Sequence, residues 1–235
     1  MRRTRCYALA MTPVALALSF SAAQAQSELS RVVSDGGISV PGWMGQIDER
    51  EASSGQVLEN ARLAMQGDAL HVTTGPAVTY WNPANTASDD YTVSATFHET
   101  EYMSLNDHPH PYGIVIGGNE MGTDQQSYLY CAAYGNGSFI VRGFGPEPFQ
   151  VNGRRPEANP AIHQAAGRGE PVTQEIAVSV HGDTVECAIN GTVVGSYARS
   201  ELVAQGRLAD TDGVYGIRFA HNTEATVSGL SVTTH

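Results

Sequence analysis

The sequence predicts an all-β protein, an antiparallel β-sandwich of the jelly-roll type, with a closed barrel as the second choice. Three observations carry this. At least nine short runs have strand character, several with apolar and polar residues alternating at period two, as half-buried strands do. Turns built on glycine and asparagine separate several of them at hairpin spacing. Helical periodicity is scarce, and many short strands with little helix pack as two sheets.

Taken from the start of the chain, the first element is a leader. Arg2, Arg3 and Arg5 form a basic stretch, Ala8–Phe20 is mostly apolar, and Ala23-Gln24-Ala25 has the small-x-small pattern of a cleavage site. Residues 1–25 therefore read as a signal peptide and residues 26–235 as a single β-sandwich domain, periplasmic or secreted. The apolar run is shorter than the ~20 residues a membrane span needs, and no later stretch approaches that length. The 235-residue chain has a formal net charge of −11, and all 13 basic residues are arginine. Losing the leader's three arginines leaves the rest more acidic still. Such a surface argues against a nucleic-acid partner and against anionic membranes, and suits neutral sugars or cations.

The strand signals follow in order. Ala69–Thr73 and Val78–Trp81 form a weak pair around Gly75-Pro76. In the next run Tyr91, Val93, Ala95 and Phe97 alternate with Thr92, Ser94, Thr96 and His98. Tyr112–Gly117 is short and apolar. Ser127–Tyr134 and Ser138–Phe144 flank Gly135-Asn136-Gly137, a hairpin. Glu175–His181, Thr184–Asn190 and Thr192–Tyr197 are joined by Gly182-Asp183 and Asn190-Gly191. Val214–Ala220 and Thr226–Thr234 close the chain and are expected beside early strands. Two helical segments are expected: a turn at Ala161–Ala166 behind Asn159-Pro160, and Ser200–Leu208. The inward set is expected to include Tyr91, Val93, Phe97, Leu129, Ile176, Val178, Val185, Ile189, Ile217 and Phe219.

Cys131 and Cys187 both fall mid-strand at inward parity. Export permits a disulfide, buried free thiols are the commoner state at such positions, and sequence does not fix the Cα separation a bridge requires.

The densest concentration of functional residue types is Asp107-His108-Pro109-His110-Pro111-Tyr112-Gly113. Its prolines fix φ and remove donors, which makes a stiff loop rather than a strand interior. Three constellations surround it. His98, His108 and His110 with Asp107 could ligate a transition ion, although a solvated loop whose histidines bond backbone and sugar is the plainer reading. Asn119, Glu120 and Asp124 could suit calcium, or simply shape a polar turn. Tyr128, Tyr130 and Tyr134 share one strand face, and Arg142 shares parity with Ser138 and Ile140 on the next strand. Aromatic rings stack on pyranoses and polar side chains bond hydroxyls, so His98, Tyr112, Tyr128, Tyr130 and Arg142 form the candidate sugar-binding set. Asp48-Glu49-Arg50-Glu51 reads as a solvated turn. No phosphate-cradling loop, nucleophile elbow or zinc-protease motif is present, and no cofactor is expected.

The order of motifs from Trp43 to Val232 resembles the concanavalin A-like lectin/glucanase superfamily, and within it the 3-keto-disaccharide hydrolase-like domain. The carrying segments are Gly67-Asp68-Ala69-Leu70-His71-Val72, Asp89-Asp90-Tyr91-Thr92-Val93 and Asn106 with Gly113-Ile114-Val115-Ile116. Ile189-Asn190-Gly191-Thr192-Val193-Val194, Gly213–Arg218 and Val227–Val232 complete them. The alternating Glu-x-Asp-x-Glu strand of the family's glucanases is absent. The resemblance implies a sugar partner, and two readings follow. The first is an exported glycan-binding protein. The second is an enzyme acting on a 3-keto-glycoside, in which a keto group acidifies the neighbouring C–H, His108 or His110 is the base, and Arg142 stabilises the oxyanion.

Overall fold

The computed structural model describes residues 30–235, so the leader expected over residues 1–25 lies outside the described residues. The strands are β1 (Gly37–Ile38), β2 (Met44–Ile47), β3 (Ala61–Gln66), β4 (Ala69–Thr74), β5 (Val78–Ala87), β6 (Tyr91–Glu99), β7 (Tyr112–Asn119) and β8 (Ser127–Tyr134). They continue as β9 (Ser138–Phe144), β10 (Phe149–Gln150), β11 (Glu157–Ala158), β12 (Val172–His181), β13 (Thr184–Ile189), β14 (Thr192–Ala198), β15 (Gly213–Phe219) and β16 (Glu224–Thr234). One sheet has the order β1-β3-β4-β16-β6-β12-β13-β14, and the other β10-β9-β8-β7-β15-β5-β2, with β11 also on β9. Every ladder is antiparallel except β1–β3.

The period-two reading explains why these segments face as they do. In β6 the odd-numbered residues Tyr91, Val93, Ala95 and Phe97 are buried and the even-numbered ones half-exposed. β12 repeats this with Ile176, Val178 and Val180 inside. All ten residues expected inside lie in one core between the sheets. Each large apolar side chain buried there contributes about 1.5–3 kcal/mol before entropy. At one end the rings of Phe97 and Tyr112 stack at 5.4 Å, with Phe219 6.0 Å from Phe97. The closing strands return as expected, β15 onto β5 and β16 onto β4 and β6. The Asn190-Gly191 turn needs a left-handed pair, and the two residues have φ of +51° and +76°.

Three expectations need correction or completion. Cys131 of β8 and Cys187 of β13 are bridged, with Cα atoms 6.0 Å apart, so the disulfide staples one sheet to the other and the thiols are not free. Residues 161–166 do not form a helical turn. Ile162 N–H bonds the Asn159 carbonyl once, and then Gln164 leaves to bridge Asn136 of the β8–β9 hairpin. The later helix is confined to α2 (Arg199–Leu202); a short α1 (Glu49–Ser53) precedes it in the chain.

β7 and β8 are buried on both faces, unlike the strands of the other sheet. Their inward residues join the core. Their outward residues, Val115, Tyr128, Tyr130, Ala132 and Tyr134, form a second apolar cluster with Ile140 of β9, flanked by Phe144 and Met121. These outward side chains are themselves buried, so the chain's own loops and neighbouring side chains cover much of this face.

Candidate functional site

A cleft of about 810 Å³ lies over that outer face. Its floor comes from adjacent strands: Thr79 of β5, Arg218 of β15, Tyr128 and Tyr130 of β8, and Arg142 and Phe144 of β9. Register explains the grouping, because Tyr130 is paired with Arg142, Tyr128 with Phe144, and Arg218 with Thr79. One wall is Gln46–Arg50, the end of β2 and the start of α1. The opposite wall is the segment Gly145–Gln150, held in place because β10 pairs with β9 at Gly143 and Arg142. Gly143 permits this, since a Cβ there would sit 2.1 Å from the Phe149 ring. The loop Gly122–Gln126 supplies a third side through Thr123 and Asp124.

Arg218 organises the floor. Its guanidinium donates to both oxygens of Asp48, Nη1 to Oδ1 at 2.8 Å and Nη2 to Oδ2 at 2.6 Å. Nη1 also donates to Thr79 Oγ1 at 2.8 Å and lies 3.3 Å from the Tyr128 hydroxyl. Its Cζ stands 5.0 Å from the Tyr130 ring centre and 4.8 Å from that of Phe144. Burial alone would lower the Arg218 pKa; the Asp48 carboxylate more than offsets this and holds it well above its ordinary value. Burial pushes the Tyr128 hydroxyl up, so it stays a neutral donor and acceptor.

Two groups in the cleft are left unsatisfied among the described residues. Arg142 spends Nη2 on the Arg154 carbonyl at 3.1 Å, while its buried Nε–H finds no acceptor. Gln46 presents a buried Oε1 that receives no donor. A buried orphan donor and a buried orphan acceptor in one cleft call for partners that both accept and donate.

The other expected site residues lie elsewhere. His98 is on β6, in the opposite sheet, where its Nδ1 is 2.8 Å from Thr173 Oγ1. Tyr112 is fully buried in the core, and burial, aided by Glu99, raises its pKa. Neither faces the cleft, because β6 belongs to the other layer and Tyr112 shares the inward parity of Ile114 and Ile116. His108 and His110 also do not line the cleft. They sit with His221 in a separate cluster, with ring centres 4.4 Å and 4.0 Å apart. The structure thus brings together Tyr128, Tyr130 and Arg142, but does not place His108 or His110 beside Arg142.

This second cluster adjoins α1, since His221 Nδ1 is 3.9 Å from Glu51 Oε1. Burial, then His108 and Arg50, lower the His221 pKa, with Asp48 opposing. Among the described residues no group of three or more His, Cys, Asp or Glu side chains gathers to hold a metal ion. Asn119 is a brace instead of a ligand, its amide donating to the Gly117 and Asp212 carbonyls at 3.1 Å and 2.9 Å.

No protein-family model matches the chain, and no curated protein does. Solved structures match it in shape. A carbohydrate-binding module, CBM66, from Bacillus subtilis superposes with a TM-score of 0.54 at 8% identity, covering 85% of this chain and 99% of that one. A Bacillus subtilis protein of unknown function with a galectin-like fold gives 0.55 at 14% identity, covering 88% and 94%. The fold is a concanavalin A-like β-sandwich. At such identities the likeness extends to the fold and no further.

Gln46, Thr79 and Phe144 escaped the sequence reading, and so did the two residues that organise the floor. Arg218 alternates with Ile217 and Phe219, which were expected inside, so its outward parity was available. Asp48 was read as part of a solvated turn; it is instead the partner of Arg218, 170 positions away in the chain. No local signal announces a pairing at that separation.

Proposed function

We propose that this is an exported carbohydrate-binding protein that holds a glycan or small sugar in the cleft over β8, β9 and β15. The observation that carries the reading is the combination of an aromatic floor with two orphan hydrogen-bonding groups, the Arg142 Nε–H and the Gln46 Oε1. Both atoms are buried, so a sugar hydroxyl accepts from the first and donates to the second once the Arg142 and Gln46 side chains turn toward it, and the apolar face of a pyranose packs on the partly exposed ring of Phe144. The volume falls within the roughly 300–1,000 Å³ usual for small-molecule sites. The Asp48–Arg218 pair fixes the floor before any ligand arrives, which reduces the ordering cost of binding. A carbohydrate-binding module with the same fold is consistent with this reading.

The glycoside-processing reading, with His108 or His110 as base and Arg142 as oxyanion stabiliser, requires those groups in one cleft. They are not, so binding is assigned to the cleft and no reaction. Export rests on the leader pattern of residues 1–25.

A glycan array probed with the purified protein tests the proposal. Binding to a defined glycan class, absent in Arg142→Ala, is expected. Uniform absence of binding, or equal binding by the variant, contradicts it.

A further inference from the structure

Charge in the cleft is set out differently from charge on the rest of the chain. The whole sequence has a formal net charge of −11. The cleft is lined by the arginines Arg50, Arg142 and Arg218 and by the carboxylates Asp48, Glu49 and Asp124, so its formal charge is zero. Asp48 is committed, because both its oxygens accept from Arg218. Of the remaining four, Glu49, Arg50 and Asp124 are exposed, where water and salt screen them. Arg142 is half-buried on the floor.

Arg142 has no counter-charge from its own chain. The arginine ion pairs run to Glu224, to Asp210 and Asp212, and to Asp48, and none includes Arg142 among the described residues. Its surroundings are uncharged. It is paired in register with Tyr130, and its Nη2 donates to the Arg154 carbonyl at 3.1 Å. Burial pushes the nearby Tyr134 hydroxyl up to about 12, with the Arg142 charge opposing, so that phenol stays neutral and does not compensate the guanidinium. A cation drawn partly out of water is costly unless an anion meets it. Arg218 meets its anion at two points in the same cleft; Arg142 is the guanidinium there that a ligand can satisfy.

A carboxylate is the planar complement of the guanidinium fork and accepts from two of its N–H groups in parallel. Arg142 and Phe144 are outward residues two apart on β9, about 7 Å along the strand. One sugar ring packed on Phe144 therefore reaches Arg142 with a carboxylate carried directly on the ring. The acidic surface elsewhere does not forbid this, since exposed charges are largely screened beyond about 8 Å at physiological salt.

We propose that the sugar held in this cleft is acidic, a uronic acid whose carboxylate pairs with Arg142 while its ring packs on Phe144. This rests on the sugar-binding reading above and names the class of sugar.

The test is calorimetry and affinity electrophoresis of the mature protein with polygalacturonate, alginate and hyaluronan, each compared with its own carboxyl-methylated form. Pullulan and laminarin serve as neutral polymers, and dextran sulfate carries a different anion on a neutral sugar. At least one uronate polymer should bind about 10-fold or more tighter than its methylated form and than the neutral polymers. Arg142→Gln should abolish the preference, and Arg142→Lys, which keeps the charge without the fork, should restore part of it. His98→Ala, on the opposite sheet, should keep it in full. Binding of neutral polymers alone, or equal binding of a uronate polymer and its methylated form, would overturn the acidic-sugar inference and leave the sugar-binding reading standing. Tighter binding of dextran sulfate than of every uronate polymer would overturn it in favour of a sulfate ester. Persistence of the preference in Arg142→Gln would also overturn it. Binding to none of these polymers would remove the inference together with the reading it rests on.

Discussion

Arg218 and Asp48 meet as a two-point ion pair under the floor of the cleft, joining β15 to the start of α1 across the outer face of one sheet. The guanidinium is buried and the carboxylate is the charge that compensates it. Breaking a buried pair by removing one partner costs about 3–5 kcal/mol, because the other charge is stranded. Asp48→Ala should therefore lose stability on that scale in urea denaturation. Asp48→Ala combined with Arg218→Met should recover most of it. A loss below about 1 kcal/mol in the single variant would show that solvent, and not Asp48, supports the guanidinium.

The Cys131–Cys187 bridge ties together the two sheets and closes a loop with a sequence separation of 56. Loops of this order gain about 3–4 kcal/mol when cross-linked. Adding reductant, or substituting Cys187→Ser, should lower the urea midpoint accordingly. Identical midpoints with and without reductant would show that the bridge contributes nothing to stability.

Glu99 offers a pH test. It ends β6 with its side chain in the core, and burial raises its pKa to about 7, while the Met103 N–H and the Tyr112 hydroxyl pull the other way. Between about pH 4.5 and 7 the folded state then holds a proton that the unfolded chain has released. Stability contributed by this group therefore falls as pH rises through that window, by roughly 3 kcal/mol at most. Glu99→Gln should flatten the fall and be the more stable protein at pH 8. Parallel stability profiles for the two proteins would refute the burial argument.

Much of the fold was legible because period two states which side of a strand a residue faces. It placed all ten named core residues correctly and put Tyr128, Tyr130 and Arg142 on one outer face. Period two does not state which sheet a strand joins. His98 has the outward parity expected of it, yet β6 lies between β16 and β12, so it faces away on the opposite layer. Tyr112 failed for a different reason: as the first residue of β7 it follows the parity of Ile114, and the neighbouring loop histidines drew it into the wrong set. The tie between the β6–β7 connection and the segment leading into β12 was also hidden. Arg168 Nη2 donates to the Asn106 carbonyl and Tyr102 N–H to that of Glu170, fastening these loops to each other. Such contacts depend on chain crossings that no local pattern encodes.

The central claim is that the aromatic cleft with Arg142 binds sugar. Its most direct test is calorimetric titration of one array-positive glycan into wild type, Arg142→Ala and His98→Ala. Losing a charge-assisted hydrogen bond costs about 1.5–3 kcal/mol, so Arg142→Ala should weaken binding about 10- to 150-fold with its urea midpoint nearly unchanged. His98→Ala, on the other sheet, should bind as wild type does. Equal affinity in Arg142→Ala and wild type, or a loss in His98→Ala instead, would contradict the assignment of the site.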